Sequence, residues 1–155
     1  MSPIKYIEYL KPINPDYHWA TFDSSPWTPL EKPLDRCRVA LISSGGVYLK
    51  HQPPFEDFGN DFSFREIPKD VSLPDLVIRH RGYDHADADA DVNCVFPIDR
   101  MRELEAEGFI RELSPVNYTF MGIIYKRSGL LQEMAPVLAG RLKEGKVDLA
   151  FLVPA

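Results

Sequence analysis

Arg38-Val39-Ala40-Leu41-Ile42-Ser43-Ser44-Gly45-Gly46 is the stretch on which the fold turns. Residues 39–42 are apolar, Val39 and Ile42 are β-branched, and Ser-Ser-Gly-Gly stops the run abruptly. That pattern is a buried strand ending in a tight turn. A strand apolar on both faces belongs to a parallel sheet covered by helices. The expected fold class is therefore α/β, with an open, mainly parallel sheet flanked by helices. In such sheets ligands bind beyond the carboxyl ends of the strands. Ser43, Ser44, Gly45 and Gly46 stand at such an end. Their glycines allow close backbone approach, and their hydroxyls and amides can hold an anion. A plain strand-to-loop turn is the competing reading. The familiar loops do not fit: no Lys-Ser/Thr follows at Walker spacing, and neither G-x-G-x-x-G nor G-x-S-x-G is present. Pro53 and Pro54 arrive too soon for the turn to open a helix.

On the N-terminal side, residues 1–35 read as an arm. Ile4, Ile7 and Leu10 could line a short amphipathic helix. Prolines 12, 15, 26, 29 and 33 then forbid regular structure. Tyr17, Trp19, Phe22 and Trp27 make this arm too aromatic for a disordered linker, so it should pack on its own domain or on another subunit.

On the C-terminal side, residues 36–155 read as an α/β domain. A long loop runs from Tyr48 to Asp61, and long loops in compact domains are often functional. Short strands are expected at Phe62–Ile67 and Leu76–His80. A helix should open at Pro97, turn Ile98, Met101 and Leu104 inward, and end at Gly108. Ile110–Leu113 and Tyr118–Ile123 are ambiguous. A second helix, capped by Ser128, should bury Leu131, Met134, Ala135, Leu138 and Leu142, be kinked or restarted by Pro136, and stop at Gly145. Val147–Val153 reads as a buried parallel strand. An interior strand of that kind needs a following crossover, so the domain is expected to be incomplete at Ala155.

Composition bounds the function. The chain has 155 residues, 45% hydrophobic and 26% charged, as in an ordinary soluble domain. A net charge of −5 argues against a nucleic-acid surface. No apolar run is long enough for a membrane span, and residues 1–6 lack a signal-peptide core. Two cysteines, Cys37 and Cys94, make neither a disulfide framework nor a zinc cluster, so a cytoplasmic protein with reduced thiols is expected. Both cysteines read as small buried hydrophobes.

The chemistry-bearing residues concentrate after the second expected strand. His80, Asp84, His85, Asp87, Asp89 and Asp91 place two imidazoles and four carboxylates within twelve residues. Such a cluster suits a hard cation, zinc or iron. The calcium-loop spacing fails, however, since Val92 and Ile98 fall where Gly and Glu are required. Asp and Asn also serve as turn and cap residues. With Arg65, Arg79 and Arg81 nearby, a mixed site for a small zwitterion or carboxylate is the preferred reading, with no metal assigned. His51, in the long loop, could be an acid/base group or a surface residue.

Leu41-Ile42-Ser43-Ser44-Gly45-Gly46-Val47-Tyr48-Leu49-Lys50-His51-Gln52-Pro53-Pro54-Phe55 resembles the N-terminal signature of the selenoprotein B family of glycine, sarcosine, betaine and D-proline reductases. So do Asp61-Phe62-Ser63-Phe64-Arg65-Glu66-Ile67-Pro68, Tyr83-Asp84-His85, Asp89-Ala90-Asp91-Val92-Asn93, Val95-Phe96-Pro97-Ile98-Asp99-Arg100 and Tyr118-Thr119-Phe120-Met121-Gly122. The resemblance implies reductive C–N cleavage of an amino-acid-like substrate. A dithiol or thioredoxin-like protein would donate the electrons, and a partner subunit could bear a pyruvoyl group. The built-in redox group would be a selenocysteine, or a cysteine in its place, with no tightly bound cofactor. That residue is expected just after Ala155, read as a stop at a UGA codon, so no catalytic residue is assigned within residues 1–155. Ser43, Ser44, Gly45, Gly46, His51, Arg65, His80, Asp84 and His85 are the candidate substrate-site walls. A homo-oligomer is expected. The alternatives are an inactive amino-acid-binding or regulatory subunit of the same fold, and a metal-dependent hydrolase built on the Asp/His loop.

Overall fold

The computed structural model describes residues 12, 15, 23–24, 28–56 and 59–155. The expected helix near residues 4–10 and the aromatic residues of the arm lie outside them.

The Arg38–Ser43 run forms β1, at the centre of a curled, mostly parallel sheet. Val39 through Ile42 are at most 3% exposed, as an apolar run buried on both faces must be. On one side β1 pairs in parallel with β7 (Leu149–Val153), Val39 opposite Leu149 through Ser43 opposite Val153. On the other side its partner changes along its length. β5 (Glu112–Leu113) lies beside Arg38 and Val39, and β6 (Val116–Phe120) lies beside Ile42 and Ser43. Ser114 and Pro115 separate these two strands, and proline has no amide to give a ladder. The buried Asn117 side chain closes the gap, accepting from the Leu41 amide (2.8 Å) and donating to the Ser114 carbonyl (3.1 Å). β3 (Phe64–Pro68) runs antiparallel to β6 at the sheet's far edge. β2 (Val47–Leu49) and β4 (Leu76–Ile78) form a separate two-stranded antiparallel pair.

Three helices matter for the site: α1 (Ala86–Ala90), α2 (Ile98–Ala106) and α3 (Ala135–Glu144). α2 buries Ile98 and Met101 as its spacing predicts, with Leu104 half-buried against the same core. Arg102 fixes it, donating to the Lys69 and Val71 carbonyls and to Asp99. α3 lays Leu138 against Ile42 and Tyr118 on the other face of the sheet. The residues ahead of α3 are helical from Arg127, through a π-helical turn at Leu130–Met134. Pro136 supplies the cause: its ring excludes the carbonyl four residues back, and a widened turn relieves the clash before the α-helix restarts. Among the described residues no helix is long and apolar enough to cross a membrane.

Among the described residues β7 pairs with β1 alone, and its Phe151 and Leu152 are 45% and 66% exposed, the bare apolar strand expected of an incomplete domain. Several other expectations need correction. Leu131 is exposed because the π-turn shifts it off the buried stripe of α3. Ser128 makes no side-chain cap at the start of that helix, whose Ncap is Lys126. Cys37 is buried, but Cys94 is exposed. It ends a 3-10 turn, Val92–Cys94, which keeps Val92 and Val95 inward three residues apart and turns Cys94 out. The strand expected at Leu76–His80 stops at Ile78.

Candidate functional site

The carboxyl ends of β1, β6 and β7 meet at residues 43–46. Ser44 is the joint. Its amide donates to the Val153 carbonyl (3.1 Å), its hydroxyl oxygen accepts from the Ala155 amide (2.9 Å), and its carbonyl accepts from the Gly122 amide (2.9 Å). Gly46 has φ +69°, and an added Cβ would stand 2.4 Å from the Arg79 carbonyl oxygen. Only glycine permits that approach, which seats the turn on the segment leading to His80.

The turn's backbone is already committed. Besides the Ser44 amide, the Gly45 amide donates to Ser43 Oγ (3.0 Å) and the Gly46 amide to the Phe120 carbonyl (3.0 Å). Ser43 is fully buried and donates to the Val95 carbonyl (2.6 Å). The turn thus offers a ligand its shape, not a nest of unpaired amides, and the half-buried Ser44 hydroxyl is itself paired with Ala155.

His80 lies directly behind it. The imidazole is 6% exposed and accepts at Nδ1 from the Gly82 amide (2.9 Å). Its Nε2 is buried without a hydrogen-bond partner among the described residues. The Tyr83 ring lies against it, with centroids 4.6 Å apart, and the Tyr83 hydroxyl donates to the Gly45 carbonyl (3.0 Å). Tyr83 also meets His85 edge-on, and His85 pairs with Asp89 (2.7 Å). A chain of contacts therefore runs from the turn through His80, Tyr83 and His85 to Asp89. Burial, then the neighbouring His85, hold the His80 pKa below its ordinary value. Burial, then Asp89, raise that of Tyr83.

The other candidates separate from this group. Arg65 pins the long loop, donating to the Pro53, Pro54 and Phe64 carbonyls and to Ser63 Oγ while stacking over Phe55. His51 is exposed in the turn after β2. Asp84 accepts from the Ala86 amide (3.1 Å), and Asp91 accepts from the backbone and side-chain amides of Asn93 (both 3.0 Å). These aspartates do the turn work that their residue type favours. Among the described residues no three His, Cys, Asp or Glu side chains come together as a metal site. A cleft of about 590 Å³ lies between β4 and α1, with Leu76, Ile78 and Val92 in its wall and Lys50, His85 and Asp89 at its rim. None of residues 43–46 lines it, and it adjoins the carboxyl-end group through His85 and Asp89.

Sequence reasoning overlooked Tyr83, Asn117 and Gly122 as parts of this site. Tyr83 and Gly122 stand in the family-like motifs but carry no charge to mark them, and Asn117 lies in β6, next to a strand break that only the register reveals.

The family described as glycine/sarcosine/betaine reductase selenoprotein B matches residues 9–154. The D-proline reductase subunit gamma of Acetoanaerobium sticklandii is 44% identical over 126 residues, covering 81% of this chain and 52% of that protein. The glycine reductase complex component B subunit gamma of Symbiobacterium thermophilum is 32% identical over 116 residues, 72% of this chain and 27% of that protein. The sarcosine reductase complex component B subunit beta of Peptoclostridium acidaminophilum is 33% identical over 103 residues, 64% of this chain and 24% of that protein. The chain thus spans about half of the first relative's length and about a quarter of the other two. No solved structure matches it.

Proposed function

Because this chain belongs to the glycine/sarcosine/betaine reductase selenoprotein B family, we propose that it forms part of a subunit of a reductase complex that cleaves a C–N bond of an amino-acid-like substrate. Components of such complexes are what its relatives are named for. The reading rests on one observation above all: the carboxyl ends of β1, β6 and β7 close on Ser44, where ligands of open α/β sheets are bound. D-proline is the first substrate to try, since a D-proline reductase subunit is 44% identical.

In this proposal a selenocysteine or cysteine follows the segment that ends at Ala155, beside Ser44. A selenolate is ionised at neutral pH, where an ordinary thiol is mostly protonated, so it suits a nucleophilic role. The reaction breaks the C–N bond, and carbon and nitrogen each gain a hydrogen. Two electrons come from a dithiol, which leaves as a disulfide. A pyruvoyl group on a partner subunit would hold the substrate amine. The turn, His80 and Tyr83 would form the wall against which the substrate rests.

The test combines the gene and the complex. The DNA beyond codon 155 should continue in frame through TGA or a cysteine codon. The subunit read through that codon, together with its partner subunit, should consume D-proline, glycine, sarcosine or betaine only when a dithiol is supplied. Absence of dithiol-dependent turnover with all four substrates would sink the proposal.

A further inference from the structure

His80 carries a feature that the reductase reading leaves unused. Its Nδ1 accepts from the Gly82 amide at 2.9 Å, so in the neutral ring the proton resides on Nε2. That N–H is buried and has no acceptor among the described residues. A buried donor without a partner costs stability, and native proteins seldom keep one without a use. The space around the ring is also built for it. A Cβ added at Gly82 would stand 2.7 Å from His80 Cε1, and one added at Gly46 would stand 3.2 Å from its Cβ. One face of the ring is covered by Tyr83, which is half-buried and is latched by its hydroxyl to the Gly45 carbonyl.

We infer that His80 is a neutral donor reserved for ligand, whose Nε2–H takes a carboxylate oxygen of an amino-acid-like substrate when the Tyr83 ring turns aside. This rests on the reductase reading for the class of ligand, and on this chain's own geometry for the atom. Burial and the nearby His85, which hold the imidazole neutral, suit the same role. Neutrality matters here because a cationic ring would lose the Gly82 hydrogen bond that aims it.

The experiment is histidine-selective ¹⁵N NMR on the subunit read through codon 155, together with its partner subunit, with D-proline and glycine as probes and methylamine as the carboxylate-free control. The expected result is an Nε2-protonated His80 before addition, whose Nε2–H resonance moves with either amino acid and stays with methylamine. His80→Phe, which keeps a ring against Tyr83 but has no donor, should weaken binding about tenfold, the scale of one lost hydrogen bond, and His80→Gln should recover part of it. An Nδ1-protonated or cationic His80 in the unliganded chain overturns the inference whatever the variants do. Amino-acid binding that moves other resonances but not His80 overturns it while leaving the reductase reading in place. If neither amino acid perturbs any resonance, the inference fails and the substrate class of that reading fails with it.

Discussion

Asn117 shows how much one buried side chain can settle. It is fully buried and stands in for a missing ladder bond between β1 and the broken β5–β6 edge. Asn117→Leu keeps the volume but leaves the Leu41 amide and the Ser114 carbonyl without these partners. The expected loss is about 1–3 kcal/mol, read as a lower urea midpoint at unchanged slope. His80 predicts a pH dependence. Its folded pKa lies below the ordinary 6.5, so the unfolded chain binds the proton more readily. Stability from this group is therefore complete above 6.5 and falls as pH drops from there toward the lowered folded value, levelling below it. His85, Tyr83 and Asp89 are the titratable groups along its contact chain, so the comparison is the wild type against His80→Phe. The variant should lose this part of the slope, and an unchanged slope would count against a buried neutral imidazole.

Among the elements, β1 and β7 are near equals in sequence and opposites in burial. Leu41 is 0% exposed and Leu152 is 66% exposed. Leu41→Ala should cost about 2–5 kcal/mol, whereas Leu152→Ala should stay within about 0.5 kcal/mol. Equal losses at the two positions, measured by chemical denaturation, would mean that β7 is covered after all. α3 shows a local rule at work: a proline written into a helical pattern was expected to kink or restart it, and it restarts after a π-helical turn. The same turn removed Leu131 from the buried stripe, which a uniform helical period places inside.

For the whole molecule, the aromatic, proline-rich arm is where assembly is expected to be decided. Deleting residues 1–33 should cause aggregation or change the oligomeric state, measured by light scattering after gel filtration. A deletion variant that stays soluble, folded and unchanged in size would show that the arm covers nothing essential.

The sequence by itself determined the α/β class, the buried strand β1, the turn at its end, α2 with its buried Ile98 and Met101, and the family. Those features are written locally, in apolar runs, in Pro and Gly stops, and in motifs several residues long. The tertiary structure alone decided the strand order, with β7 along one side of β1 and β5 and β6 along the other, since apolar composition does not encode a strand's neighbours. It alone turned the amides of residues 44–46 inward, because their acceptors come from β6, β7 and Ser43 and not from a ligand. It also sorted the charged candidates. Arg65 was drawn to loop carbonyls and Asp84 and Asp91 to nearby amides, while His80, the least exposed of the predicted polar residues after Ser43, kept a donor unspent. Burial and hydrogen-bond partners depend on residues that are distant along the chain and close in space, so no reading of local pattern could have assigned them.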